Sequence, residues 1–576
     1  MNTADPTSIT IAFTLIAAML PLVASVATAL RPAAKVHGLK DYFLYERKMD
    51  IDGFLKTTVG YSLQVAAIYL FFDWTFRYGL WSILVPIAWG GGYYALAVAV
   101  KSRSLDRFLG FSAAESNRTE TIHGYVGDRA RSAASAGSVR WLVYVIAGST
   151  VIGLGGTMMT EIDYATQFLS DGLDLGKVSM ADNAIRVSVL VFAGTYVLWG
   201  GYRAVVLTEK WQVQLAYVAF GIFTLWLAEL YASNFTIFPA SIAAACGILS
   251  GIFLWNRFRV INRADSDGRF YSSLVFVPLI ALACYQLASL LPWDGGFVWN
   301  STYLFPKTPS AFGFGFVGVI SLVLTNVIWQ FIDISSLQRL QALNLDMSAK
   351  DLTVERARIA TGIIASGTEA AGGWVLIILA ALILRGLGVS QVADVSSFVL
   401  LNDRWGWLLS PLFIFAVVVF MLSTISAFIS AMAYVSYFDL VGIRIEDIGG
   451  DAKSLEKPRW VTVGMIVLVL LLYVLLKVRV GNQISTVLYA VYAFQITIAP
   501  SVFVALFSKA PVNAFASIVS VIVGWITAVF ATLSDAPSWV SADSWGVMPP
   551  LLVVLATSVT YAAFHFAKLR FPGKGA

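Results

Sequence analysis

The sequence predicts an all-α polytopic membrane protein with about 15 transmembrane helices, and three observations carry that prediction. Of the 576 residues, 58% are hydrophobic and 13% charged, where a soluble chain of this size has about 25% charged residues. The mean hydropathy is +0.76. Apolar runs of about 20 residues, long enough to cross the hydrocarbon core as helices, recur from end to end. Barrel strands would be shorter and would alternate in polarity.

Spans are expected near 8–30, 53–76, 79–100, 140–162, 187–207, 211–232, 236–256, 271–291, 311–337, 357–386, 408–437, 459–478, 482–507, 512–533 and 547–567. The first begins near Ser8 with no small-residue cleavage site after it, so it reads as a retained span and not a signal peptide. Loop charge sets the orientation. The 31–50 loop (Arg31, Lys35, Lys40, Arg47, Lys48), the 101–139 loop, the 257–269 loop and the tail (Lys568, Arg570, Lys574) are basic and fall on one side. The alternate loops, such as Glu161 to Asp182 and Ser534 to Gly546, are acidic or neutral. This places the N-terminus outside and the C-terminus in the cytoplasm, in a plasma membrane that for a bacterium is the inner one. The formal charge of +5 fits basic loops beside anionic lipid and calls for no nucleic acid.

No soluble module interrupts the spans and no Walker loop is present, so energy for transport must come from an ion gradient. No enzymatic activity is expected. Cys246 and Cys284 fall inside predicted spans as packing residues. His37, His123 and His565 are scattered and form no metal-ligand cluster.

Four segments carry chemistry. Residues 53–76 begin with Lys56, Thr57, Thr58, Gly60, Tyr61, Ser62 and Gln64 before Val-Ala-Ala-Ile-Tyr-Leu, and close on Asp73 and Arg77. A polar patch at mid-depth points to local unwinding, and broken helices present free carbonyls and helix ends to ions and solutes. A polar face turned into the bundle is the other reading. Asp73 and Arg77, four apart, suit a structural pair. The segment Gly200–Gln212 reads as a tight connection at a membrane face, carrying Arg203, Glu209 and Lys210, and charge so close to the bilayer is a functional hypothesis by default. In 311–337, Asn326, Trp329, Gln330 and Asp333 combine amides with an indole, which suits a small polar solute with an apolar flank. In 408–437, Ser423, Ser426 and Ser430 share one helical face, with Thr424 beside them. Hydroxyl oxygens suit sodium as a hard cation; they also serve as helix-packing groups bonded to their own backbone. Glu229 and Glu369, inside spans, suit a proton site, a pocket or a satisfied interior carboxylate.

Two polar-interrupted helices, each opening a group of five spans, point to an inverted-repeat transporter. The repeats are placed at 53–233 and 311–507. Residues 1–52 form an extra N-terminal span and loop, 234–310 hold two additional spans, and 508–576 two C-terminal spans and the tail.

From about Asp41 to about Phe507 the chain resembles the sodium/solute symporter family, its sodium/galactose and sodium/proline branches at motif level. The resemblance rests on Asp41-Tyr42-Phe43-Leu44 with Arg47 (Glu46 replacing the family's glycine), Tyr78-Gly79-Leu80, the loop Thr121–Arg129, Gly200–Gln212, Gln338-Arg339 and Ser423-Thr424, all in the family's order. It implies a five-plus-five inverted-repeat fold of the amino-acid-transporter (LeuT) type. It further implies a sodium site formed by carbonyls near Gly60, Leu63 and Phe420 and the hydroxyls of Ser423 and Thr424. Glu209 matches the aspartate on the family's cytoplasmic sodium path, one methylene longer. The solute is implied near Ser62, Gln64, Asn326, Trp329 and Gln330, with Trp329 aligned to an inner-gate aromatic. Ser62 stands where the proline branch has a carboxylate, so proline is not implied.

The expected function is sodium-coupled symport of a small organic solute by alternating access, with Na+ as the coupling ion and the lipid bilayer as surroundings. The additional spans 236–256 and 271–291 are candidates for docking a protein partner. A transporter-like sensor or scaffold acting through such a partner, or a proton-coupled symporter of the same fold, are the alternatives.

Overall fold

Apolar side chains at helical spacing, uninterrupted by strand-length alternation, give a structure built from helices; the computed structural model describes residues 6–111, 120–172, 179–234, 315–345, 352–400, 406–442, 455–477, 484–538, 540 and 545–570. The two additional spans, with Cys246 and Cys284, lie outside the described residues, as does the side chain of Glu229. In chain order the helices are α1 Pro6–Ala29, α2 Leu39–Leu44, α3 Ile51–Ser62, α4 Val65–Tyr78, α5 Leu84–Lys101, α6 Asp106–Leu109, α7 Ile122–Arg131, α8 Ala136–Gly172 and α9 Ser179–Asn234. There follow α10 Gly315–Ile332, α11 Ile334–Ala342, α12 Leu352–Gly386, α13 Ala393–Leu400, α14 Gly406–Val435, α15 Glu456–Lys477, α16 Ile484–Ile496, α17 Ala499–Phe507, α18 Ala514–Leu533 and α19 Pro549–Arg570. Among the described residues eight helical runs are long and apolar enough to cross a membrane, or ten if each bent pair is one span.

The helices pack in two groups. In one, α12 lies against α5, α3 and α4, and α10 against α5. In the other, α14 lies against α9, α8 and α15. Helix α1 covers α14 and α9, and α18 pairs with α19.

Three expectations change. The connection expected over Gly200–Gln212 shortens to Gly201, where two helices of α9 meet at a φ of 53° and ψ of −151° that only glycine adopts readily, and from Tyr202 on the segment is helical. The kink lets α2 dock, since a Cβ at Gly201 would stand 2.4 Å from the Tyr42 carbonyl oxygen and 2.7 Å from its ring. Glu161 belongs to no acidic loop; α8 continues to Gly172 and buries it. The Thr121–Arg129 loop is helix α7, capped by Thr121, whose hydroxyl accepts from Gly124 N–H at 2.9 Å. His123 on α7 bonds Asp439 at 2.8 Å and Thr150 at 3.0 Å, so this histidine is spent on packing α7 against α8 and the turn after α14.

The 31–50 segment is fixed from both sides. Asp41 receives Arg203 Nη1 on both carboxylate oxygens at 3.1 Å, and Tyr42 OH bonds Thr462 at 3.0 Å. After α2 the chain makes a left-handed turn, with φ of 50°, 52° and 58° at Tyr45, Glu46 and Arg47. Glu46 pairs with the exposed Lys48, an interaction of little worth at a surface. The left-handed backbone costs a non-glycine residue about 1–2 kcal/mol, part of which glycine gives back as unfolded-state entropy. Glu46→Gly is therefore expected to raise stability by about 0.5–1 kcal/mol, seen as a higher melting midpoint of the purified protein; an unchanged or lower midpoint contradicts the strain.

Candidate functional site

The first core helix breaks where its polar patch lies. Asp50 caps α3 by accepting from Gly53 N–H at 2.8 Å, and the helix runs to Ser62. Leu63, at φ −84° and ψ 68°, makes an inverse γ-turn, with Gln64 N–H donating to the Ser62 carbonyl at 3.0 Å. In an unbroken helix that N–H would bond the Gly60 carbonyl, which the turn releases. Val65 and Ala66 N–H, which would bond Tyr61 and Ser62, instead donate to Glu161 Oε2 at 2.8 Å and Oε1 at 3.1 Å. The Ser62 carbonyl also accepts from the Trp374 indole N–H of α12 at 2.9 Å. Ser62's hydroxyl turns back to the Thr58 carbonyl at 2.7 Å.

A second break falls at Asp333, where α10 and α11 meet at 40°. Its carboxylate accepts from Ser335 N–H at 3.2 Å, Ser336 N–H at 3.0 Å and Ser336 Oγ at 2.6 Å, capping α11. The interruption is polar, with a side chain standing in for the lost helical bonds. A third bend, of 43°, separates α16 from α17, with Pro500 in the first turn of α17.

Helix α14 faces the first break. A Cβ at Gly60 would stand 2.7 Å from Ser423 Oγ and 2.6 Å from Val213 Cγ2, so glycine is what lets α3, α9 and α14 close here. The Ser423 hydroxyl donates to Glu209 Oε1 at 3.3 Å, which leaves its own lone pairs free. Thr424 Oγ1 and Glu209 Oε2 are buried without a partner. Phe420 lies one turn earlier on α14, and Leu63 forms the turn opposite. Gly60, Ser423 and Glu209 thus meet at one junction between the two helix groups, with Leu63, Phe420 and Thr424 near them in sequence. Ser426 donates back to the Ser423 carbonyl at 3.0 Å.

Glu209 is wholly buried and paired with Arg339 of α11 at 3.3 Å. Arg339 also donates to the Ser335 carbonyl at 2.9 Å and lies over the Tyr61 ring at 4.6 Å. The other charges of the Gly200–Gln212 segment are spent elsewhere, Arg203 on Asp41 and Lys210 on Asp50 at 3.8 Å.

The polar residues suited to a solute divide between two faces. Gln64 and Trp329 meet around Tyr492 of α16, whose OH lies 3.5 Å from Gln64 Oε1 and whose ring centroid is 4.5 Å from that of Trp329. Ser62 lies two residues before Gln64 at the turn. Asn326 and Gln330 sit on the side of α10 toward α5: a Cβ at Gly92 would stand 2.6 Å from the Asn326 carbonyl oxygen and 2.8 Å from Gln330 Cγ. Asn326 Nδ2 is spent on the Leu322 carbonyl at 2.7 Å, whereas both polar atoms of the Gln330 side chain are buried without partners. Glu369 is buried on α12 with Oε2 unpartnered. Asp73 and Arg77 form the expected pair, partly exposed. Among the described residues no group of three or more His, Cys, Asp and Glu could hold a metal ion.

Glu161, Trp374, Tyr492 and the role of Arg339 escaped the sequence reading. A signal for Glu161 exists: Met158, Ile162, Ala165 and Leu169 keep one apolar face past position 162, and Glu161 falls on it.

No family model and no curated protein matches the chain. Solved structures do. The substrate-bound outward-open state of a Na+-coupled sialic acid symporter superposes with a TM-score of 0.55 at 12% identity, covering 96% of this chain and 98% of that one. Mhp1, a nucleobase-cation-symport-1 family transporter in a closed conformation with bromovinylhydantoin bound, gives a TM-score of 0.48 at 13% identity, covering 94% and 97%. The chain is an all-helical, multi-span membrane protein of the LeuT-type fold.

Proposed function

We propose that the chain is a sodium-coupled secondary active symporter of a small organic solute, working by alternating access. One observation carries the reading: the turn at Leu63 frees the Gly60 carbonyl from its helical bond, Gly60 packs against the Ser423 hydroxyl, and the next residue, Thr424, has a buried hydroxyl without a partner. These are neutral oxygen ligands for a hard monovalent cation. The carbonyls of Gly60, Leu63 and Phe420 with Ser423 and Thr424 would complete the shell. Because Ser423 and Thr424 ride on one helix group and Gly60 and Leu63 on the other, a bound ion holds the groups together and favours one state of the transporter.

Glu209 and Arg339 give the ion a way out. Arg339 neutralises the carboxylate, so Glu209 does not trap sodium; an ion leaving Ser423 exchanges for Arg339 on the same oxygen. The loop charges favour release on the cytoplasmic side. The solute would lie at Ser62, Gln64 and Trp329, next to the ion through the three-residue turn, with Asn326 and Gln330 behind. Sodium binding thereby orders the solute site itself, which is coupling in thermodynamic terms.

The test begins with melting of purified protein in NaCl against KCl at equal ionic strength. Sodium is expected to stabilise saturably, and Thr424→Ala to raise the half-effective sodium concentration at least tenfold. Sodium in the same assay then screens amino acids, sugars, carboxylates and ureas, and a solute so found is taken into liposomes. Uptake driven by a proton gradient alone and unchanged in Thr424→Ala would replace sodium with protons.

A further inference from the structure

The break in the first core helix is already filled by a carboxyl group, and that group is the protein's own. Glu161 reaches from α8, in one helix group, to the start of α4 in the other, and both its oxygens are taken by the Val65 and Ala66 N–H groups. It is wholly buried, and among the described residues no lysine or arginine bonds it. The start of a half-helix in a broken transporter helix is the place where anionic groups of a solute dock, since its amides are unpaired and its dipole end is positive. Here that place is occupied. On the carbonyl side of the same break the Ser62 carbonyl is taken by the Trp374 indole. Beside the turn stand the Gln64 amide, the Tyr492 hydroxyl and the Trp329 indole, and the buried Asp333 carboxyl acts on Tyr492 from the break between α10 and α11.

We propose that Glu161 is a specificity-determining residue of the solute site, and that by occupying the anion position at the start of α4 it restricts the solute to polar molecules without a carboxylate or other anionic group. The inference rests on reading the break as the solute site. A solute carboxylate reaches the Val65 and Ala66 amides only by displacing Glu161, and otherwise docks without the amides of that helix end. A hydroxyl, amide or amine group meets neither obstacle, because Gln64 and Tyr492 offer it both donors and acceptors.

Formate is the probe, a carboxylate small enough for the space a truncated Glu161 leaves. Melting of the purified full-length chain is followed in sodium formate against sodium chloride at equal concentration. The Glu161→Ala chain is expected to gain several degrees from formate, saturably, while the parent and Glu161→Gln, whose amide fills the space, gain none. Glu161→Ser repeats the test where the alanine chain is not recovered folded. A formate effect of equal size in the parent overturns the proposal. So does its absence from the alanine and serine chains, or their failure to fold even in formate, which would then be unable to replace the missing carboxylate. The readout is equilibrium stability and not flux. A negative result here leaves sodium-driven uptake standing, and absence of uptake leaves a formate effect standing.

Discussion

Arg339→Ala is expected to destabilise the protein by about 3–5 kcal/mol, the range for removing one partner of a buried ion pair. Arg339 is 1% exposed and Glu209 not at all, so the carboxylate left behind has no water to turn to. Its remaining partner is the Ser423 hydroxyl at 3.3 Å. The loss also removes the cation over the Tyr61 ring and the bond to the Ser335 carbonyl. Glu209→Gln should recover part of that loss when combined with Arg339→Ala, because the buried charge disappears with its need for a partner. The measurement is a double-mutant cycle on denaturation of the purified chains. Additive losses, or an Arg339→Ala chain that melts with the parent, would show that the pair contributes nothing.

The second large effect is expected from one methyl group. Gly201→Ala places a Cβ 2.4 Å from the Tyr42 carbonyl oxygen, a backbone atom that cannot rotate away. It also forces alanine to φ 53° and ψ −151°, a region costing about 1–3 kcal/mol before any clash. The total should exceed about 3 kcal/mol and loosen α2, with its Asp41–Arg203 pair, from the kink. Gly148→Ala is the control. That glycine lies within α8 with nothing within 4 Å of its Cβ position, so the substitution should be neutral or stabilising by up to about 1 kcal/mol. Equal melting of the two variants would refute the close approach at Gly201.

The same residues show how far a sequence can be read. The broken first helix was legible as one of two readings, because a run of Thr, Ser, Gly and Gln at mid-depth of a span must either unwind or turn a polar face into the bundle. The placement of Ser423 and Thr424 together on one buried helix was legible, because spacing within a helix fixes the face. The connection at Gly200–Gln212 was read as longer than it is, because two glycines beside charge do not show how many residues the turn takes; packing against Tyr42 confines it to Gly201. Partners from distant helices leave no trace in spacing. Glu161 meets Val65 and Ala66 across some 95 residues and Arg339 meets Glu209 across 130, and in each case one half of the pair looks like an isolated charge. Glu161 had the further disguise of standing at the end of an apolar run, where a carboxylate reads as the start of a loop.

One more contact bears on motion. Just before α3, Met49 exchanges backbone bonds with the end of α11: its N–H donates to the Ala342 carbonyl at 3.1 Å, and its own carbonyl accepts from Asn344 N–H at 2.8 Å. Peptide groups paired this way do not slide past one another by a fraction of a residue, as packed side chains do. The start of α3 and the end of α11 are therefore latched to each other: on the proposed transporter reading the two half-helices must swing as one rigid leaf, or else pass through a state in which both hydrogen bonds have let go.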